Sequence, residues 1–200
     1  MKSSYSEILN IALSSGCIDE KIDFLESTWS NIDEGKLFEY AQRDEVASHV
    51  AYILKKCKIN FSSIWINEFN KVENKVNLLM SVLELVAVEL KKYKIKTIAL
   101  KNAGIAKGIY PVSSCSPMGD LDILVHKSDF HKAHSIITEK LGFSFKFRND
   151  FEDENLNDAF YSGGTEYFKV IEHSKIWLEL QWRPISGRWI QPANEPNGDM

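Results

Sequence analysis

Gly119-Asp120-Leu121-Asp122-Ile123-Leu124-Val125 is the stretch on which the fold turns. Within it Leu121 to Val125 reads as a strand. Side chains at i and i+2 of a strand share a face, so Asp120 and Asp122 set two carboxylates side by side where the strand begins. Leu121 and Ile123 turn to the core. Two like charges so close are unfavourable unless a cation lies between them. Oxygen-only ligands select a hard ion, Mg²⁺ or Mn²⁺. A third acid lies in Ile176-Trp177-Leu178-Glu179-Leu180-Gln181-Trp182. Alternation there puts Ile176, Leu178, Leu180 and Trp182 on one face, and Trp177, Glu179 and Gln181 on the other. If the two strands are neighbours in one sheet, Glu179 joins the Asp pair. Carboxylates that hold a pair of cations are a known arrangement for in-line displacement at phosphorus.

Outward from this strand, Lys96 to Leu100 reads as a short strand and Asn102 to Ala106 as a helix start. Lys101 between them, followed by backbone N–H groups, suits a phosphate. Pro111, Ser113, Ser114, Ser116 and Pro117 make an irregular loop. Ser128 reads as the cap of a helix from Asp129 to Lys140, stopped by Gly142. Phe143 to Phe147 alternates like a strand, and Asp150 to Asp158 reads as a solvated acidic loop. Strands over 165–171 and 175–182 follow, with a turn at His173-Ser174. Before residue 94 the periodicity is helical: over 4–14, 21–29, two or three helices within 36–57, and a long helix from about 64 to 93. The last carries an apolar face of Val76, Leu79, Met80, Leu83, Val86, Ala87 and Leu90. This texture divides the chain into a helical N-terminal region (1–94), an α/β core (95–183) and an irregular tail (184–200), the last reading as a loop or as the end of something cut short. The expected class is α+β, with the helical region packed on a small mixed sheet with flanking helices.

The 200 residues are 44% hydrophobic and 12% aromatic, enough for a real core, and 26% charged, which excludes a disordered or fibrous chain. The balance of 24 basic against 28 acidic side chains gives −4 and no global pull toward a long nucleic acid. A small-molecule or nucleotide ligand in a local site fits better. Leu78 to Leu90 is too short, and too interrupted by Ser81, Glu84 and Glu89, to span a bilayer. A single Lys2 and no continuous apolar run before Cys17 predict no secretory leader. Cys17, Cys57 and Cys115 are odd in number and far apart, which argues for a reducing cytoplasm. His126, His131 and His134 have no zinc spacing, and His49 reads as packing. Lys91, Lys92, Lys94 and Lys96 read as a solvated helix end. Ser113, Ser114 and Ser116 lack a His–Asp arrangement that would make a nucleophile.

The run Ile98-Ala99-Leu100-Lys101-Asn102-Ala103-Gly104 leading to Tyr110-Pro111, then Ser116-Pro117-Met118-Gly119-Asp120-Leu121-Asp122-Ile123-Leu124-Val125, then Glu179-Leu180-Gln181-Trp182-Arg183, forms three motifs in order. Together they resemble the bacterial uncharacterised nucleotidyltransferase family of the polymerase-β-like superfamily. The resemblance implies a nucleotidyltransferase-type sheet and Mg²⁺-dependent transfer of a nucleoside monophosphate from an NTP to an acceptor hydroxyl, releasing pyrophosphate. By the same carry-over, Asp120, Asp122 and Glu179 are the catalytic and metal-holding acids. Lys101, Asn102, Ala103 and Gly104, with Gly119, lie at the nucleotide. The sequence leaves the acceptor open between a small molecule, a protein side chain and an RNA end, with the charge balance against a long nucleic acid. Three positions depart from the family: Asn102 replaces Gly, Ser116 replaces Arg and Gln181 replaces His. They motivate an alternative, a catalytically decayed nucleotide-binding or protein-interaction module of the same fold.

Overall fold

The computed structural model describes residues 4–106, 108–146 and 156–183. Five helices come first: α1 (Tyr5–Leu13), α2 (Ile18–Trp29), α3 (Glu34–Arg43), α4 (Ala47–Lys56) and α5 (Ser63–Lys92). Local chemistry sets their starts. The Ser4 hydroxyl accepts from the Glu7 N–H, and the Asp33 carboxylate from the Lys36 N–H. The end of α1 is closed by a buried lysine: Lys21 Nζ donates to the carbonyls of Ala12 and Ser14. Chain contacts group Met1–Leu78 with Ala106–Pro117 as one compact unit, and Leu79–Ile105 with Met118–Met200 as a second. The first unit has its own core, in which Ile8, Leu25, Leu37, Val50, Leu54 and Trp65 are fully enclosed. Trp65 meets the edge of Phe38 at 4.9 Å.

In the second unit β1 (Thr97–Ala99) leads into the short helix α6 (Lys101–Ile105), and β2 (Leu121–Val125) follows. Then come α7 (Phe130–Ser135), β3 (Ser144–Lys146), α8 (Leu156–Ser162), β4 (Gly164–Ile171) and β5 (Ser174–Gln181). The strands form a mixed five-stranded sheet in the order β1-β2-β5-β4-β3. Among the described residues only β2 and β5 run parallel; the other pairings are antiparallel. One face carries Leu121, Ile123, Tyr167, Leu178 and Leu180, all buried. α7 packs on that side: Phe130 and Ala133 are enclosed, and His134 Nδ1 lies 2.9 Å from the Tyr167 hydroxyl. Asp122, Glu166 and Glu179 point to the opposite face by the same alternation. The architecture is thus α+β with a small mixed sheet. Among the described residues no helix is long and apolar enough to cross a membrane.

Two local expectations are corrected. Ser128 is not the cap of a helix from Asp129 to Lys140. His126 Nδ1 accepts the Ser128 N–H, a 3₁₀ turn follows, and the α-helix starts at Phe130. Its last turn, Ile136–Lys140, is a π-turn that buries both Ile136 and Ile137. Gly142, at φ +67°, ends the segment as foreseen. The second correction concerns the acidic stretch: Leu156, Asn157 and Asp158 open α8 rather than continuing a loop. Tertiary stacking holds that helix, since the Phe160 ring meets Phe130, His131 and Trp182, and Trp182 Nε1 donates to the Phe160 carbonyl at 2.7 Å. Residues 150–155 of that stretch, Phe147, and the tail 184–200 lie outside the described residues.

Candidate functional site

The centre of the site follows from register. β2 and β5 are parallel neighbours with Asp122 directly opposite Glu179. Asp122 is 2% exposed, while Glu179 is half-buried. One cation joins them: Lys101 Nζ lies 2.5 Å from Asp122 Oδ1 and 3.1 Å from Glu179 Oε2. Gln181 Nε2 is a second donor to Asp122 Oδ1, at 3.4 Å. Burial first, then the neighbouring Glu179 carboxylate, pushes the Asp122 carboxyl up to about 6 against the opposing pull of Lys101. Burial alone would lower the Lys101 ammonium, but its bonds to Asp122 and Glu179 outweigh that and raise it.

Asp120 lies just before β2 and is exposed. Together with Gly119, Glu166, Trp177, Leu178 and Glu179 it lines a cleft of about 320 Å³. Three of these residues, Glu166, Trp177 and Leu178, lie outside the site expected from the sequence. The β4–β5 hairpin places Glu166 directly opposite Glu179, so three acids run in a row across β2, β5 and β4. The turn expected at His173-Ser174 lies one residue earlier: Glu172 and His173, both at positive φ, form it, and that position fixes which residues face each other.

The segment expected at the nucleotide divides its tasks. Lys101 turns to the acids. Asn102 is exposed, whereas the Ala103 side chain is buried. Gly104 serves packing, because a Cβ there would stand 2.7 Å from the Ala99 carbonyl oxygen. Gly119 has open space around its Cα, and Ser116 is buried.

The donors suit a hard cation chemically, since all are carboxylate oxygens and two of them already share one positive centre. Asp122 and Glu179 could hold such an ion, with Asp120 at the cleft as a third ligand. As the side chains stand, the shared position belongs to the Lys101 ammonium. Among the described residues no group of three or more His, Cys, Asp or Glu side chains is drawn together to hold a metal.

No curated protein and no solved structure matches the chain. A family model described as uncharacterised nucleotidyltransferase matches residues 30–199, the greater part of the chain, spanning the cleft, Lys101 and all three expected acids. The chain therefore belongs to the uncharacterised nucleotidyltransferase family.

Proposed function

We propose that this chain moves a nucleoside monophosphate from an NTP to an acceptor hydroxyl and releases pyrophosphate, with Mg²⁺ or Mn²⁺ as cofactor. The observation that carries this reading is the pairing of Asp122 with Glu179 on adjacent parallel strands, beside a cleft that also holds Asp120. The acceptor oxygen attacks the α-phosphorus, and the bond from that phosphorus to the bridging oxygen of the β-phosphate breaks. Glu179, on the cleft wall, takes the hydroxyl proton. Asp120, Asp122 and Glu179 would hold the divalent cation, which would neutralise charge on the phosphates. The turn from Lys101 to Gly104, with Gly119, orients the nucleotide. Catalysis then comes from in-line positioning and charge neutralisation. An acidic cleft and a net charge of −4 favour a small-molecule or protein acceptor over a long nucleic acid. Three free thiols suit a reducing cytoplasm.

The test is incubation of the protein with each α-³²P-labelled NTP and Mg²⁺ in a cell extract, beside the Asp120→Asn, Asp122→Asn double variant. Label on a new species with the wild type alone is the expected result; label with both proteins would overturn the assignment of the acids. The position of Lys101 between the acids favours a second reading, a decayed nucleotide-binding module. That reading predicts Mg²⁺-dependent nucleotide binding with no label on any species, the acceptor being supplied by the extract.

A further inference from the structure

Lys101 is built into the place where a cation would sit. Its φ is +48°, in the left-handed region where a residue with a Cβ is strained. Hydrogen bonds pin the backbone on both sides: the Leu100 N–H donates to the Asp122 carbonyl at 2.9 Å, and the Gly104 N–H to the Leu100 carbonyl at 3.2 Å. From that strained position the ammonium reaches both carboxylates. Their side chains are 3% and 20% exposed, yet that of Lys101 is 57% exposed. The acids are fixed in the sheet, while the lysine can swing into solvent without moving a strand.

We propose that Lys101 is an internal cation that competes with the divalent ion for Asp122 and Glu179, so that the ion enters only as the ammonium leaves. A displaced ammonium is then available to the triphosphate that accompanies the ion. The inference rests on the reading of Asp122 and Glu179 as metal-holding carboxylates. It assigns to Lys101 a control over cation loading that a simple phosphate contact would not have.

Calorimetric titration of Mn²⁺ without nucleotide tests it on the wild type, Lys101→Met and Lys101→Arg. With the competitor gone, Lys101→Met should bind Mn²⁺ roughly tenfold tighter or more, whereas Lys101→Arg, which keeps the charge, should stay near the wild type. Wild-type binding that Lys101→Met leaves unchanged or weakens overturns the competition alone. Absence of Mn²⁺ binding in all three proteins overturns the metal reading with it. Lys101→Met leaves a buried carboxylate without its counter-charge and so endangers folding, and a measurement on the wild type covers that case. The acetylation rate of Lys101 by an N-hydroxysuccinimide ester, followed by mass spectrometry, should rise severalfold on adding Mn²⁺, while that of Lys92, paired with Glu89 at the surface, stays constant. An unchanged or slower rate at Lys101 overturns the proposal.

Discussion

A carboxylate buried on a sheet face loses its hydration, and Asp122 recovers only part of that loss from Lys101 and Gln181. Its raised proton affinity is a statement about stability. The fold binds that proton more tightly than the unfolded chain does, so the contribution of Asp122 is fully present below the usual aspartate value and is lost as pH rises through about 6. Asp122→Asn removes the charge and keeps the shape. In EDTA, thermal melting should show the variant at or above the wild type at pH 8, by on the order of 1 kcal/mol. The gap should close below pH 4. A variant that melts well below the wild type at pH 8 would contradict this account of the site. The acid proposed to serve the chemistry is thus a burden to the fold, as is common at functional sites.

Among the elements, α6 shows how a short helix with little intrinsic stability is held in place. Five residues close too few hydrogen bonds to support a helix alone, so its packing on β1 and the buried Ala103 must hold it. Gly104 permits that packing, since any side chain there runs into the Ala99 carbonyl. Gly104→Ala should destabilise the protein by about 1–3 kcal/mol in denaturant titration. Because Lys101 opens the same helix, the variant should also weaken the Lys101 link to the acids. A neutral outcome at Gly104 would mean that α6 sits elsewhere. The β4–β5 hairpin has the corresponding role for the acids. Its two-residue turn sets the register, and a slip of β4 by one residue against β5 would carry Glu166 to the buried face, away from Glu179.

Over the whole molecule, half-buried histidines and the buried aspartate give pH slopes of opposite sign. Burial lowers the proton affinity of His134, with His131 adding to it and Glu139 opposing, and burial then Lys21 do the same for His49. Each contributes stability that is present above the usual histidine value of 6.5 and is lost as pH falls through its lower folded value. His134→Gln keeps a polar partner for the Tyr167 hydroxyl and removes one of these titrations. Melting from pH 8 to pH 5 should show the variant gaining on the wild type as acid is added, the reverse of the trend for Asp122→Asn. Parallel curves for His134→Gln and the wild type would place His134 in solvent.

Much of this was legible in the residues alone. Alternation fixed β2 to the residue and assigned the two faces of β5, because period two is a property of the strand itself. Helical periodicity located α1 to α5 within a few residues, and the motif order pointed to the family. What only the tertiary structure decided were relations between distant segments. α8 is held by the stacking of Phe160 on Phe130 and Trp182, which no local pattern announces. Glu166 joins the acids only through strand order and register, and Lys101 meets Asp122 and Glu179 only because β1 and β5 flank β2. The physical reason is the same throughout. Periodicity and capping are local properties written into consecutive residues, whereas the partner of a buried charge is set by which strands the folded chain places side by side.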